Sequence, residues 1–148
     1  MTTNKRVKRL EKLKDIRDRI QDEAKGRLTN AQKRKETLLI RSDSLGITWQ
    51  DVLMDFKERS RRGELTPEEL WYLRNGMDSL EEEMAEVGKA IEETERELDT
   101  LQQELRQKHT EAKLVENVLV ERKKELRRDR EKSEQKELDD LACMVYTK

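Results

Sequence analysis

One stretch limits what this chain can become. Across residues 70–126 a single set of inward positions repeats at alternating three- and four-residue steps without a slip. It reads Leu70, Leu73, Met77, Leu80, Met84, Val87, Ile91, Thr94, Leu98, Leu101, Leu105, Lys108, Ala112, Val115, Leu119, Arg122, Leu126. Only Thr94, Lys108 and Arg122 interrupt an apolar seam. That period marks a helix of a coiled coil. A stripe this narrow buries too little to hold a lone helix, so it needs a partner helix.

The start of this helix is also legible. Thr66 is an N-cap, because its hydroxyl can accept a bond from an unpaired backbone N–H. Pro67 falls at the first helical position, where its missing N–H costs nothing. Glu69 completes a capping box with Thr66, and Leu65 can staple onto Leu70.

The partner lies upstream in the same chain. Residues 4–61 contain no Pro and carry a second, poorer seam. From Ala24 it runs Leu28, Ala31, Lys35, Leu38, Ser42, Leu45, Trp49, Val52, Phe56. The steps Leu13–Ile16–Ile20–Ala24–Leu28 contain repeated fours, which predicts a stutter that locally unwinds the supercoil. Residues 42–48 are the weakest part of this arm. Ser, Asp and Gly compete with helix there, and Thr48 with Asp51 offers a fresh helix start. The seam keeps its phase across them, which favours a continuous path over a break.

Gly63 suits the left-handed position after a helix end, and Arg59, Arg61 and Arg62 suit the negative end of the helix before it. A link this short makes neighbouring helices antiparallel. The expected fold is therefore all-α: a long two-helix antiparallel coiled-coil hairpin. It is expected as one domain over residues 1–148, with arm one at 4–61, the turn at 62–66 and arm two at 67–146. Pivoting on the turn pairs residue i with roughly residue 127 − i. The arms are unequal, so the last ~20 residues of arm two project as an unpaired helix of about 30 Å.

Composition agrees. Of 148 residues, 45% are charged and 32% hydrophobic, which cannot fill a thick core but can supply helices that bury one stripe each. So much charge also suits disorder, but a disordered chain does not hold a heptad over such a length. The single cysteine, Cys143, excludes an internal disulfide and a cysteine-rich zinc site, and fits a reducing compartment. No apolar run approaches a membrane span, and the Lys/Arg-rich start has no signal-peptide h-region. The chain reads as cytosolic and soluble.

Charge is unevenly laid out. Residues 1–22 hold eight Lys/Arg against four Asp/Glu, residues 64–104 three against fourteen, and residues 105–132 ten against six. In an antiparallel hairpin the basic segments fall together at the terminal end and the acidic one toward the turn. Such a basic end can be steered into an acidic opening by long-range attraction.

Catalysis finds no foothold. His109 is the only histidine and reads as a surface residue. There is no phosphate loop, nucleophile elbow or metal spacing, so neither enzymatic activity nor a cofactor is expected. The basic segments alternate with acids and lack stacking aromatics, so nucleic acid is not an expected partner. Trp49 falls on the seam and reads as core. Trp71 and Tyr72 fall off it beside the turn, where they either anchor a partner or wrap the edge of the seam. Beyond residue 124 a basic run, Arg127, Arg128, Arg130 and Lys132, precedes a short stripe of Leu138, Leu141, Ala142 and Val145. It is either a frayed solvated end or a surface waiting for another protein.

Several of these segments resemble the FliJ/YscO family. They are the turn region Gly63-Glu64-Leu65-Thr66-Pro67-Glu68-Glu69-Leu70-Trp71-Tyr72-Leu73 with Met77 and Leu80, and the stretch Glu121-Arg122-Lys123-Lys124-Glu125-Leu126 with Arg130. The run Glu134-Gln135-Lys136-Glu137-Leu138-Asp139-Asp140-Leu141-Ala142 is similar to the family's EQKxLDE-A pattern. Arg6, Val7, Leu10, Leu13, Ile16 and Arg17 match its opening. Residues 42–48 and Pro67 depart from the pattern.

The resemblance implies a bacterial cytoplasmic protein, monomeric on its own, that forms the central stalk of a type III export apparatus, flagellar or injectisome. It implies that the terminal coiled-coil end enters the hexameric export ATPase and promotes its assembly and activity. It implies a link from there to the export gate, contact with export chaperones, and a place at the inner face of the membrane through those partners. On this resemblance the ATPase-ring contacts are Arg6, Arg9, Leu10, Leu13, Arg127, Arg128, Arg130, Gln135, Leu138, Leu141 and Val145. The gate contacts are Trp71, Tyr72 and Asn75. The alternative is a coiled-coil tether or scaffold that makes no ATPase contact.

Overall fold

The computed structural model of the chain describes residues 2–146. It is all-α, with two long helices packed against each other: α1, Thr2–Arg61, and α2, Pro67–Tyr146.

The turn is built as its residues dictate. Gly63 has φ +69°, the left-handed region open to glycine. The Glu64 N–H donates to the Arg59 carbonyl at 3.1 Å and the Gly63 N–H to the Ser60 carbonyl at 3.2 Å. This pair of bonds is a Schellman closure, which satisfies carbonyls that the helix end leaves open. α2 then starts at its cap: the Glu69 N–H donates to Thr66 Oγ1 at 3.3 Å. Arg59 reaches across the turn to Glu69 at 2.8 Å and ties the two helix ends together.

The chain divides into two compact units, Gly26–Gln103 and the pair Met1–Lys25 with Glu104–Lys148. In the first, hereafter the turn unit, Ala31, Leu98 and Leu101 form a buried cluster with Leu28 packed against it. Leu45 and Val87 are also buried. Thr94, a polar residue in the seam, is 8% exposed, and its hydroxyl donates to the Ala90 carbonyl at 2.8 Å. That bond removes the penalty of burying it. Arg34 pairs with Glu97 at 2.7 Å, Lys35 with Glu95 at 3.4 Å, and Arg41 with Glu83. Exposed pairs of this kind each contribute only about 0.2–1 kcal/mol. Their use is to fix register.

In the second, the terminal unit, Val7, Ala24, Ala112 and Leu119 are buried. Arg17 pairs with Glu111 at 3.0 Å and Glu11 with Lys123 at 3.4 Å, while Gln21 Nε2 lies 2.7 Å from His109 Nδ1. Lys108 and Arg122 hold seam positions without isolating their charges, since each pairs along its own helix, with Glu111 and Glu125. In both units the pairing is antiparallel. Arg17–Glu111 and Arg59–Glu69 each fall one residue from the register expected from the turn.

Two sequence expectations are resolved. Residues 42–48 do not break α1, which is continuous. Thr48 does not start a new helix. Its hydroxyl donates back to the Ser44 carbonyl at 3.0 Å, within the helix. The stutter before Ala24 is corrected. Burial there follows Val7, Leu10, Lys14, Arg17, Gln21, Ala24, which continues the three–four alternation of the later seam without a slip. Leu13 and Ile16 lie outside that phase, 38% and 51% exposed. Lys, Arg and Gln can occupy a thin seam because their apolar stems pack while their heads reach the edge.

Candidate functional site

The candidate binding features of this molecule are exposed surfaces on helices, and each belongs to one of the two units. Among the described residues no group of three or more His, Cys, Asp and Glu could hold a metal ion, and no helix is long and apolar enough to cross a membrane.

The first surface is the end of α2, in the terminal unit. Every residue in 127–146 is exposed, and Leu126 is the last with partial cover. Leu138, Leu141 and Val145 are 60%, 58% and 73% exposed. Arg127, Arg128 and Arg130 precede them, and Gln135 bonds Asp139 one turn on at 3.2 Å. The helix persists here on local propensity and such pairs rather than on a packed neighbour.

The second surface lies on the paired part of the terminal unit. Leu13, Ile16 and Ile20 fall on one flank of α1, just outside the seam. Leu114 and Val118 fall on the matching flank of α2, 60% and 46% exposed. By heptad phase the two flanks are the ones that face each other across an antiparallel seam. They compose one apolar strip flanked by the Arg17–Glu111 pair. Of the expected ring contacts, Leu13 belongs to this strip. Leu10 is half-buried in the seam, and Arg6 and Arg9 are exposed nearby on α1. The terminal unit is basic, with 21 Lys/Arg to 16 Asp/Glu, and the turn unit acidic, with 12 to 18.

The third surface is in the turn unit. Trp71 and Tyr72 are 62% and 73% exposed, so they do not wrap the seam. Their rings meet edge to face at 5.5 Å and 81°. With Pro67 and Glu68 they line a shallow groove. Asn75 is exposed one turn further along the outer face of α2. Trp49, expected in the core, is half-buried, and its Nε1 is buried without an acceptor among the described residues.

Ile16, Ile20, Leu114 and Val118 were not singled out as surface residues by sequence reasoning. The signal was present: extending the three–four alternation backward from Ala24 leaves Leu13 and Ile16 outside the seam.

These features define an all-α hairpin with exposed apolar and aromatic surfaces on its helices. The family model described as Flagellar FliJ protein matches residues 6–148, essentially the whole chain. The chain belongs to that family, and is thereby a component of the flagellar export apparatus, in which the family's role is non-catalytic. Searches of curated proteins and of solved structures gave no significant match.

Proposed function

We propose that this chain is the cytoplasmic central stalk of the type III export apparatus. Its terminal unit inserts into the hexameric export ATPase and promotes assembly and turnover. Residues Trp71, Tyr72 and Asn75 meet the export gate, and export chaperones are further partners. The chain acts as a monomer and as one hairpin domain, with arm one at 4–61, the turn at 62–66 and arm two at 67–146. It reaches the inner face of the membrane only through these partners.

The observation that carries the reading is the uncovered end of α2. A basic run leads into a stripe whose Leu138, Leu141 and Val145 are each more than half exposed. Each such side chain gains about 1.5–3 kcal/mol if a partner buries it fully, while long-range attraction brings the basic segment to an acidic opening. The apolar strip of Leu13, Ile16, Leu114 and Val118 adds a second face on the same unit.

The test is ATPase turnover against added stalk protein. Full-length chain is expected to stimulate the purified ATPase, and the chain lacking residues 134–148 is expected not to. Full stimulation by the truncated form would return the tail to a frayed end and leave the tether reading.

A further inference from the structure

The apolar strip of the terminal unit is complementary to itself. The contacts Glu11–Lys123, Arg17–Glu111 and Gln21–His109 set residue i level with roughly residue 131 − i. On the strip side, each level therefore joins one residue of α1 to one of α2. Leu13 is level with Val118 and Ile16 with Leu114. Toward the start of α1, Arg9 is level with Glu121 and Arg6 with Glu125. All eight of these residues are exposed. In the other direction Ile20 is level with Glu111, whose charge is already held by Arg17 and Lys108, and Glu23 with uncharged Gln107. Isolated exposed apolar residues are ordinary, but a strip gathered from two helices marks a contact surface.

That layout selects the occupant. Two copies pointing the same way, related by a two-fold axis along the helices, lay α1 of each against α2 of the other with the levels kept. Ile16 then meets Leu114 of the second copy, and Leu13 and Val118 of both copies fill the centre. Arg9 meets Glu121 of the second copy, and Arg6 meets Glu125. Symmetry makes every contact twice. Within one copy Glu121 and Glu125 pair only along α2, with Lys124 and Arg122, at exposed positions from which they can turn to a new partner. Two copies pointing opposite ways fit less well. They gain Arg9 against Glu23, but set Val118 against Glu111 and Glu125 against Glu104, and leave Glu121 facing Gln107. A single foreign helix would need acids along its α1 side and bases along its α2 side. A second copy brings both by symmetry.

We propose that the free chain pairs with a second copy through this strip, as a parallel dimer whose terminal units form a four-helix bundle. The inference goes beyond the stalk reading, in which the chain acts as a monomer. A ring and a second copy cannot cover the strip at once, so insertion separates the copies. Apolar contact supplies the attraction, and the Arg–Glu pairs set the direction.

The test uses the full chain without the ATPase, so its outcome is separate from the stalk reading. Sedimentation equilibrium over about 1–500 μM is expected to show monomer and dimer in exchange. A chain that stays monomeric throughout overturns the proposal. Leu114→Glu, and separately Arg9→Glu, should each weaken dimerisation at least about tenfold with helicity unchanged, since both side chains are exposed. Adding Glu121→Arg to Arg9→Glu should restore the affinity to within about threefold of the parent. A dimer that neither single variant weakens overturns the proposal, and so does rescue of Arg9→Glu by Glu23→Arg instead, which would make the copies antiparallel. Donor and acceptor dyes on Cys143, the single cysteine and an exposed one, should transfer energy in mixed dimers, because parallel copies carry both dyes at one end. Antiparallel copies centred on the strip part the dyes by about 85 Å, so a dimer without transfer also overturns the proposal.

Discussion

Two stripes on α2 resemble each other in sequence and differ in fate. Across residues 70–126 every seam position but Leu70 is buried or half-buried, and Lys and Arg are tolerated among them. Across residues 127–146 Leu138, Leu141 and Val145 follow a helical spacing just as apolar, yet nothing covers them. The cause is not the stripe. α2 has 80 residues and α1 has 60, so the last part of α2 has no α1 residues left to meet it. A helix stripe states that it wants cover. Only the length of the partner states whether it gets it inside the chain or outside.

The sharpest way to break this contrast is inside the covered stripe. Leu98 is 8% exposed in the cluster with Ala31 and Leu101. Leu98→Asp places an unpaired charge there and is expected to cost roughly 3–5 kcal/mol. Thermal melting followed by circular dichroism should fall by more than about 10 °C. The same melt tests the single-domain expectation, since one hairpin domain should lose its helices in one transition.

The connection between the arms comes next in size. Nothing lies within 4 Å of where a Gly63 side chain would stand, so the space is free and only the backbone objects. Gly63→Ala forces an L-residue to φ +69° and is expected to cost about 1 kcal/mol, seen in the chemical-denaturation midpoint. A neutral result would mean that the Schellman closure does not hold the turn.

How much of this was legible in the sequence follows the same division. The seam of α2, the cap at Thr66 and the turn at Gly63 could be read because each rests on local stereochemistry or a strict period. The phase of α1 before Ala24 could not be read from apolar residues alone. There Lys14, Arg17 and Gln21 hold the seam while Leu13 and Ile16 stand outside it. Hydrophobicity misleads at such places, because a long polar side chain can bury its stem and pass its head to a neighbour such as Glu111. The place of Trp71 and Tyr72 off the seam was legible, but whether they wrap its edge was decided only by their exposure. The strip formed with Leu114 and Val118 did not, because two flanks become one surface only when the phases of both helices are known.

The uncovered stripe supplies the next test. Residues 134–146 are exposed throughout, so deleting residues 134–148 should change the melting temperature by less than about 3 °C. A larger fall would show that the end of α2 is covered in solution after all, and would erase the contrast with the seam.

The smallest expected effect on stability comes from the aromatic pair beside the turn. Trp71 and Tyr72 touch each other edge to face, a contact that contributes about 0.5–1.5 kcal/mol when well buried. Here both rings are more than three-fifths exposed, so little of that is available to the fold. Neither ring belongs to the seam, whose nearest members are Leu70 and Leu73. Large aromatics held in the open gain their main stabilisation from a partner that covers them. Substituting both with Ala should therefore leave helicity unchanged and melting within about 3 °C of the parent. Protein export, measured as secreted filament subunit in cells carrying the variant, should fall. A melting loss on the scale expected for Leu98→Asp would instead make the pair part of the fold, and the exposed rings would then resemble the seam rather than the tail.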